Sequence, residues 1–337
     1  MTATLQSAEL ALHWQQLPPL PDPIGFAGPF AGTSGGALIV AGGANFPDKM
    51  PWEGGRKVWY DTVYILDRTN GAWRGGFKLP RPLGYGVSVT TTDGVICIGG
   101  SDEKQHVRDV FLLSWKQGEL KCNPLPPLPQ PLANSCGAVV GNTVYVAGGT
   151  ATPDATNALK SFWALDLGKR EVNWRELSPW PGPPRMLAVA ASVGGSFYLT
   201  GGTDLAPDSK GQPVRTYLKD AYRFTPGVGW QRIADMPNPV VAAPTPAPVC
   251  NGSGFLVIGG DDGSLVNFEP KSKHPGFPKR VLSYDTKLEK WSVLGDAPVS
   301  RATLPTAEWS GLTVMPSGEA KPGVRSPEVR AVRPSVK

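Results

Sequence analysis

A short run of β-branched, aliphatic or aromatic residues ending in a glycine pair recurs along the chain. The complete runs are ALIVAGG, VICIGG, TVYVAGG, SFYLTGG and FLVIGG. A sixth run, LTVMPSGE, ends in Glu319, where the second glycine is expected. The first glycines stand at positions 42, 99, 148, 201, 259 and 318. This period of about 55 residues is close to the ~50 of kelch repeats and indicates six repeats.

Each repeat predicts further strands after its glycine pair. A second apolar run follows, as in VYILD and VFLLSW, and most repeats then carry a tryptophan before a proline-containing exit: Trp73, Trp174, Trp230 and Trp291. Four-stranded sheets arranged radially bury both faces against their neighbours. We therefore predict an all-β fold, a six-bladed kelch β-propeller. It forms a single domain over residues 1–337, with blades at about 26–77, 84–122, 134–178, 186–233, 245–294 and 302–334.

The two ends of the chain complement each other. The segment HWQQLPPLP, from His13, resembles the fourth strand of a repeat, but no first three strands precede it. The last repeat offers strands around residue 307, at 312–316 and at 327–333, with no fourth strand after them. We predict that a closing strand at 12–18 completes the last blade, which removes two open sheet edges.

Composition excludes several classes of protein. The 41 Gly and 36 Pro indicate many turns, while 11 Trp, 11 Phe and 8 Tyr exclude a disordered or collagen-like chain. No apolar run approaches the ~20 residues that span a bilayer, so no membrane insertion is expected. The first basic residue is Lys49, which argues against a signal peptide. We predict a cytoplasmic protein, or a periplasmic one if a leader has been removed.

Charge and metal-ligating residues predict neither a nucleic-acid partner nor a metal. The net charge is +5, but the basic residues are spread along the chain and form no stripe. The four cysteines lie far apart, which indicates neither a zinc site nor a disulfide framework. The three histidines, His13, His106 and His274, are isolated in sequence. We predict no cofactor.

Chemistry is expected where loops meet at one mouth of the central channel. In a propeller the loops joining the second strand to the third, and one blade to the next, emerge on the same face. These loops contain Asn45, Asp102, Asp204 with Arg215, Asp262 and residues 319–325, together with Arg81, Arg185 and Arg301. The three blade-connecting arginines also have a structural interpretation, in which they cap backbone carbonyls or pair with surface acids.

Glu319 is the strongest single signal, because five other repeats keep glycine at the position it takes. Glycine reaches positive φ without strain, so glutamate there is expected to cost up to ~1 to 3 kcal/mol. Such a cost suggests a function, although drift in a tolerant blade is the alternative.

Two segments resemble a known family. GEAKPGVR, residues 318–325, is similar to the GEAKPG-x-R segment of bacterial N-acetylneuraminate epimerases, which are kelch-propeller sialic acid mutarotases. FAGTSGGALIVAGGANFP resembles the opening blade of the cyclically permuted branch of that family. The resemblance extends over essentially all six blades. It implies that Glu319 and Arg325 are catalytic and that the ligand is a small sugar, a sialic acid. The loop after Gly202 is shorter than in the sialic acid enzymes.

Mutarotation opens and recloses a sugar ring, and the reaction transfers only protons. We expect Glu319 to act as general base or acid. Arg325 either binds the carboxylate of a sialic acid or orients Glu319. Asn45, Arg81, Arg185 and Arg301 are predicted substrate-binding residues, and Trp52, Trp59 or Tyr60 could stack on the sugar.

Two alternatives stay open at this point. One is a non-catalytic kelch propeller that binds a glycan or protein through the same face, since one fold hosts many functions. The other is catalysis on a different sugar acid or on a neutral sugar. An Arg325 side chain directed into the channel favours an anionic substrate, whereas one held in a structural ion pair favours a neutral sugar.

Overall fold

The computed structural model describes residues 10–250 and 252–336, which form β-strands joined by turns and loops. The strands make six four-stranded antiparallel sheets, called blades 1 to 6 in chain order. The first strand, β1 (Leu10–Leu17), belongs to blade 6. Two 3₁₀ turns, Pro51–Glu53 and Lys271–Lys273, lie in insertions of blades 1 and 5. The predicted fold class, an all-β six-bladed propeller, is confirmed.

The strands follow in chain order. Blade 1 contains β2 (Phe30–Ser34), β3 (Ala37–Ala41), the inserted hairpin β4 (Ala44–Asn45) and β5 (Val58–Trp59), then β6 (Thr62–Leu66) and β7 (Arg74–Lys78). Blade 2 contains β8 (Val87–Thr91), β9 (Gly94–Ile98), β10 (Val110–Lys116) and β11 (Glu119–Pro124). Blade 3 contains β12 (Cys136–Val140), β13 (Thr143–Ala147), β14 (Phe162–Asp166) and β15 (Trp174–Glu176).

The second half of the chain repeats this arrangement. Blade 4 contains β16 (Val189–Val193), β17 (Ser196–Thr200), the hairpin β18 (Thr203–Pro207) and β19 (Pro213–Tyr217), then β20 (Ala221–Thr225) and β21 (Gly229–Ile233). Blade 5 contains β22 (Val249–Cys250), β23 (Gly254–Ile258), β24 (Arg280–Asp285) and β25 (Lys290–Asp296). Blade 6 contains β26 (Ala307–Trp309), β27 (Leu312–Pro316), the hairpin β28 (Glu319–Lys321) and β29 (Val324–Arg325), then β30 (Val329–Val336) and β1.

The hydrophobic core lies between neighbouring blades. The repeated apolar runs form the second strand of each blade, and every residue of β3, β9, β17, β23 and β27 is buried. Phe30 and Ile39 of blade 1, for example, share one apolar cluster with Val95 and Phe111 of blade 2. Burial on both faces explains why these strands are continuously apolar rather than alternating.

The recurrent tryptophan also joins one blade to the preceding segment of the chain. Trp73 donates its indole N–H to the carbonyl of Pro18 (2.9 Å), and Trp174 donates to Pro126 (2.9 Å). Trp230 and Trp291 make the same kind of bond to Ser178 (2.9 Å) and Ala234 (2.8 Å). An indole N–H that is removed from water needs an acceptor. Each tryptophan therefore fixes the segment that follows the last strand of the preceding blade.

The last blade is closed by the first strand. β1 pairs with β30 in antiparallel register, from Leu10 opposite Val336 to Leu17 opposite Val329. Beyond β1, Leu20 donates its backbone N–H to the carbonyl of Pro327 (2.9 Å). The predicted closure by the N-terminal strand is confirmed.

A ring of six backbone hydrogen bonds surrounds one mouth of the channel. Each blade contributes one residue with φ between 55° and 62°, and its N–H donates to the carbonyl of the corresponding residue in the preceding blade. The six bonds are 2.7–2.9 Å long. Because the ring is closed, it ties the connections between all six blades to one another at this mouth. Its members are Gly28, Tyr85, Asn134, Leu187, Ala242 and Thr303.

The position of Glu319 in the repeat differs from the sequence prediction. In blade 6, Ser317 (φ 65°) and Gly318 (φ 92°) adopt the positive φ values that the glycine pairs have elsewhere. Glu319 forms an antiparallel β-bridge with Ala302. In blade 1 the equivalent bridge joins Ala44, the residue after the glycine pair, to Ala27. Glu319 is therefore the residue after the pair, outside the positive-φ region, and the prediction of strain at Glu319 was wrong. Within the pair of residues 317 and 318, the non-glycine residue that adopts a positive φ is Ser317.

Ser317 is held in its positive φ by hydrogen bonds. It is fully buried, its Oγ accepts from the N–H of Phe26 (2.7 Å), and it lies 2.8 Å from the carbonyl oxygen of Ser326, to which it can donate. These bonds join β27 to the start of blade 1 and to the loop after Arg325. The strained residue thus lies next to the hairpin of β28 and β29, which carries Glu319 and Arg325, and is not one of these two residues.

Candidate active site

Glu319 and Arg325 form an ion pair at the channel mouth. They face each other across the short hairpin of β28 and β29, and Nη1 of Arg325 lies 2.8 Å from Oε1 of Glu319. The Arg325 side chain is 2% exposed and that of Glu319 is 18% exposed. The structure therefore brings the two predicted catalytic residues together, with only the carboxylate accessible.

Blades 1 and 2 enclose the guanidinium of Arg325. Its Nε donates to the carbonyl of Ala44 (3.3 Å) and its Nη2 to the hydroxyl of Tyr85 (3.3 Å). The guanidinium carbon also lies 4.7 Å from the ring centre of Phe46, a cation–π contact. Two roles were expected for Arg325: to orient Glu319, or to bind a substrate carboxylate. These contacts and the ion pair favour the first role.

A cavity of about 310 Å³ opens beside the Glu319 carboxylate. Blades 4, 5 and 6 line it, and Thr303 from the hydrogen-bonded ring lies at its base with Oγ1 3.5 Å from Oε2 of Glu319. This volume is at the lower end of the range of small-molecule sites. The polar residues that share the cavity with Glu319 are Arg215, Tyr217, Asp261, Lys271, His274 and Thr303.

Tyr217 and Asp261 form a second polar pair in this cavity. The Tyr217 hydroxyl donates to Oδ2 of Asp261 (2.9 Å), and Oδ1 accepts from the N–H of Gly263 (3.0 Å). Burial, followed by the charge of Asp261, raises the pKa of Tyr217 to about 12. Tyr217 is therefore protonated at neutral pH, and its proton is directed at Asp261.

Lys57 and Tyr85 complete the electrostatic surroundings of the ion pair. Burial, followed by the nearby charge of Arg325, lowers the pKa of Lys57, while Glu319 opposes this effect. The Lys57 ammonium lies 5.0 Å from the ring centre of Tyr85. Burial raises the pKa of Tyr85 to about 12, so the hydroxyl that Arg325 contacts stays neutral.

The four predicted substrate-binding residues do not join this cluster. Asn45 is fully buried, donates to the carbonyl of Gly25 (2.9 Å) and accepts from Tyr60 (2.9 Å). Arg185 is fully buried, with Nη2 2.7 Å from Oδ2 of Asp220. Side chains without exposed surface contact no ligand in this conformation.

Arg301 and Arg81 are also occupied by contacts within the chain. Arg301 donates to Oε2 of Glu328 (2.6 Å) and to Oγ of Ser326 (2.9 Å). Arg81 pairs with Asp102 in a separate cleft of about 640 Å³ between blades 1 and 2. The substrate-binding roles of these arginines and of Asn45 stay predictions. Their contacts agree with the structural interpretation given above for blade-connecting arginines.

Within residues 10–250 and 252–336, no three His, Cys, Asp or Glu side chains converge as metal ligands would. In the same part of the chain, no helix has the length and apolar character needed to cross a membrane.

The fold and the site define a kelch-type β-propeller with a cavity and an acidic residue at one channel mouth. The family model of N-acetylneuraminate epimerase matches residues 1–122 and 125–267. The chain belongs to the N-acetylneuraminate epimerase family. The matched residues end before the hairpin that carries Glu319 and Arg325.

Individual relatives agree with this assignment. The chain is 28% identical to the N-acetylneuraminate epimerase of Haemophilus influenzae (strain PittEE), over 60% of this chain and 57% of the relative. It is 26% identical to that of Escherichia coli O9:H4, over 61% of this chain and 59% of the relative. For Salmonella arizonae the identity is 28%, over 60% and 56%. The chain thus spans less than two thirds of the length of these relatives.

Proposed function

We propose that this protein is a sugar mutarotase, which interconverts the anomers of N-acetylneuraminic acid or a related sugar by acid/base ring opening. Membership of the epimerase family supports the reaction class. The observation that carries the proposal is Glu319, a carboxylate that Arg325 holds in place and that opens on a cavity large enough for a monosaccharide.

In the proposed mechanism Glu319 moves the proton. The carboxylate removes the proton of the anomeric hydroxyl, the bond from the anomeric carbon to the ring oxygen breaks, and a carbonyl forms. Glu319 then returns the proton to the former ring oxygen, and reclosure on the other face of the carbonyl gives the other anomer. Positioned proton transfer of this kind contributes ~10²- to 10⁴-fold. Arg325 does not react; it fixes the carboxylate.

A substrate with a carboxylate needs an accessible cation in the cavity. The ion pair with Glu319 occupies Arg325, which taken alone favours a neutral sugar. Arg215, in contrast, is exposed and lines the same cavity, and a guanidinium suits a carboxylate. We therefore propose that Arg215 binds the carboxylate of the substrate. A sialic acid then remains the proposed substrate.

We further propose that the chain is a cyclic permutation of its relatives. The hairpin with Glu319 then lies last in this chain and within the interior of theirs. This accounts for a family match that ends at residue 267.

The proposed function is tested by proton NMR of α-N-acetylneuraminic acid released in situ by a sialidase. The approach to the β anomer is followed with and without the protein, at a pH where the spontaneous rate is low. Acceleration that saturates with sugar concentration supports a sialic acid mutarotase. Acceleration seen only with a neutral sugar such as glucose would show that the substrate is a neutral sugar and not a sialic acid. Sugar binding without acceleration of either would favour a non-catalytic glycan-binding propeller.

A further inference from the structure

His274 lies in the cavity that Glu319 faces. It belongs to the insertion between β23 and β24 of blade 5, directly after the 3₁₀ turn Lys271–Lys273. The residue is 6% exposed. Its ring lies between Phe268 and Phe277, with ring centres 5.5 and 6.2 Å away. The imidazole is therefore held in place by packing although it belongs to a loop.

One hydrogen bond fixes the tautomer of this imidazole. The backbone N–H of Gly276 donates to Nδ1 of His274 (3.1 Å), so Nδ1 carries a lone pair and the neutral ring has its proton on Nε2. In the described part of the chain, only the Nδ1 side of this ring has a hydrogen-bond partner. The Nε2–H thus remains available to a ligand.

Ring opening requires such a donor. When the bond to the ring oxygen breaks, that oxygen becomes an alkoxide before it receives a proton. A fixed N–H directed at developing negative charge stabilises the transition state. Tyr217 shares the cavity but directs its O–H at Asp261, and Arg325 is buried behind the carboxylate.

We propose that His274 is a further catalytic residue, which donates its Nε2–H hydrogen bond to the ring oxygen of the sugar as the ring opens. The inference rests on the proposed mutarotase function. The imidazole transfers no proton: the proton that leaves the anomeric hydroxyl goes to Glu319, and the same proton passes from Glu319 to the alkoxide. No further acid is needed for the atoms and charges to balance.

Two substitutions separate hydrogen bonding from packing. His274→Leu keeps an apolar side chain between the two phenylalanines but removes the donor, and kcat should fall by ~10²- to 10³-fold, as for other single donors to an oxyanion. His274→Gln keeps an N–H near the position of Nε2 and should recover most of this loss. His106→Leu, at another buried histidine of the same channel face, is the control and should leave kcat unchanged.

The outcomes distinguish this inference from the function on which it rests. If the unaltered protein accelerates mutarotation and His274→Leu does so equally well, the role of His274 is overturned and the function stands. Equal losses in the Leu and Gln variants, with native circular dichroism, would also overturn the donor role. If the unaltered protein gives no acceleration, function and inference both fail. Long-range ¹H–¹⁵N NMR spectra should show the Nε2–H tautomer, and an Nδ1–H tautomer would contradict the proposal.

Discussion

The backbone N–H of Gly28 donates to the carbonyl of Thr303 (2.7 Å) and closes the ring of hydrogen bonds at the channel mouth. Thr303 also lies beside Glu319, and Tyr85, the next member of the ring after Gly28, contacts Arg325. Two residues of the ring thus touch the two members of the ion pair. The backbone geometry of the mouth and the position of the carboxylate are therefore coupled.

Gly28→Ala should disturb this coupling. Gly28 has φ 61°, and a Cβ there would lie 2.7 Å from the Tyr85 ring and 2.8 Å from the Tyr85 backbone nitrogen. We expect a loss of ~1–3 kcal/mol in the free energy of unfolding and a lower kcat, because Tyr85 must move. Gly36→Ala is the matched control, with φ 80° but no atom within 4 Å. Urea unfolding of both variants measures the difference, and equal losses would show that backbone strain alone is responsible.

Arg325→Met and Arg215→Leu should affect different kinetic constants. Arg325→Met leaves Glu319 without its ion-pair partner, so kcat should fall while KM changes little. The free energy of unfolding should also fall, by up to the ~3–5 kcal/mol typical when a buried pair loses one member. Arg215→Leu should mainly raise KM for a sialic acid. A large rise in KM with unchanged kcat for Arg325→Met would instead place the substrate carboxylate on Arg325.

Gln15→Pro should open the propeller at its closure. Gln15 lies within β1, opposite Ala331 of β30, and its side chain is exposed. Proline removes a backbone donor and distorts the strand. The melting temperature of the whole protein should fall, because the open ring exposes two sheet edges. Gln15→Ala keeps the backbone N–H and should leave the melting temperature nearly unchanged. An unaltered melting temperature in the proline variant would contradict a closing role for β1.

His106 should make the folded state less stable in mild acid. Burial lowers the pKa of His106 to about 4 from the usual 6.5, although Asp102 and Asp154 oppose the shift. Between these values the unfolded chain binds a proton that the folded chain does not, so stability is lost as the pH falls from 6.5 to 4. A shift of this size corresponds to at most ~3 kcal/mol. His106→Gln should flatten that part of the stability profile measured by urea unfolding, and an unchanged slope would show that other groups determine it.

The repeat predicts the architecture because each apolar run must be buried on both faces. The six blades and the strand that completes blade 6 follow from that requirement and from the unmatched ends. The sequence pattern misplaces Glu319 by one residue, because it equates Gly318 with the first glycine of each pair, whereas Ser317 takes that position in the structure. A positive φ can also be stabilised by hydrogen bonds to a serine hydroxyl, as at Ser317. Because these bonds involve residues distant in sequence, the repeat pattern does not predict a positive φ at a serine.

The site was predictable only in part. Glu319 and Arg325 could be predicted because their segment resembles a family motif, and the structure places them opposite each other in one hairpin. His274 and Tyr217 lie in insertions that follow no repeat, and only folding brings them to the cavity of Glu319. Arg185 and Arg301 lie at the predicted mouth, but their guanidinium groups bind neighbouring segments of the chain. Position in a loop does not determine whether a side chain faces the ligand or the protein.

The most direct test of the account compares Glu319→Gln with Glu308→Gln in the NMR mutarotation assay. Both substitutions remove one carboxylate from blade 6, but Glu308 lies on β26, lines a different cavity and accepts a hydrogen bond from Thr313. We predict that Glu319→Gln lowers the catalysed rate by at least ~10²-fold with native circular dichroism, and that Glu308→Gln retains full activity. A fully active Glu319→Gln variant would contradict the assignment of proton transfer to this carboxylate.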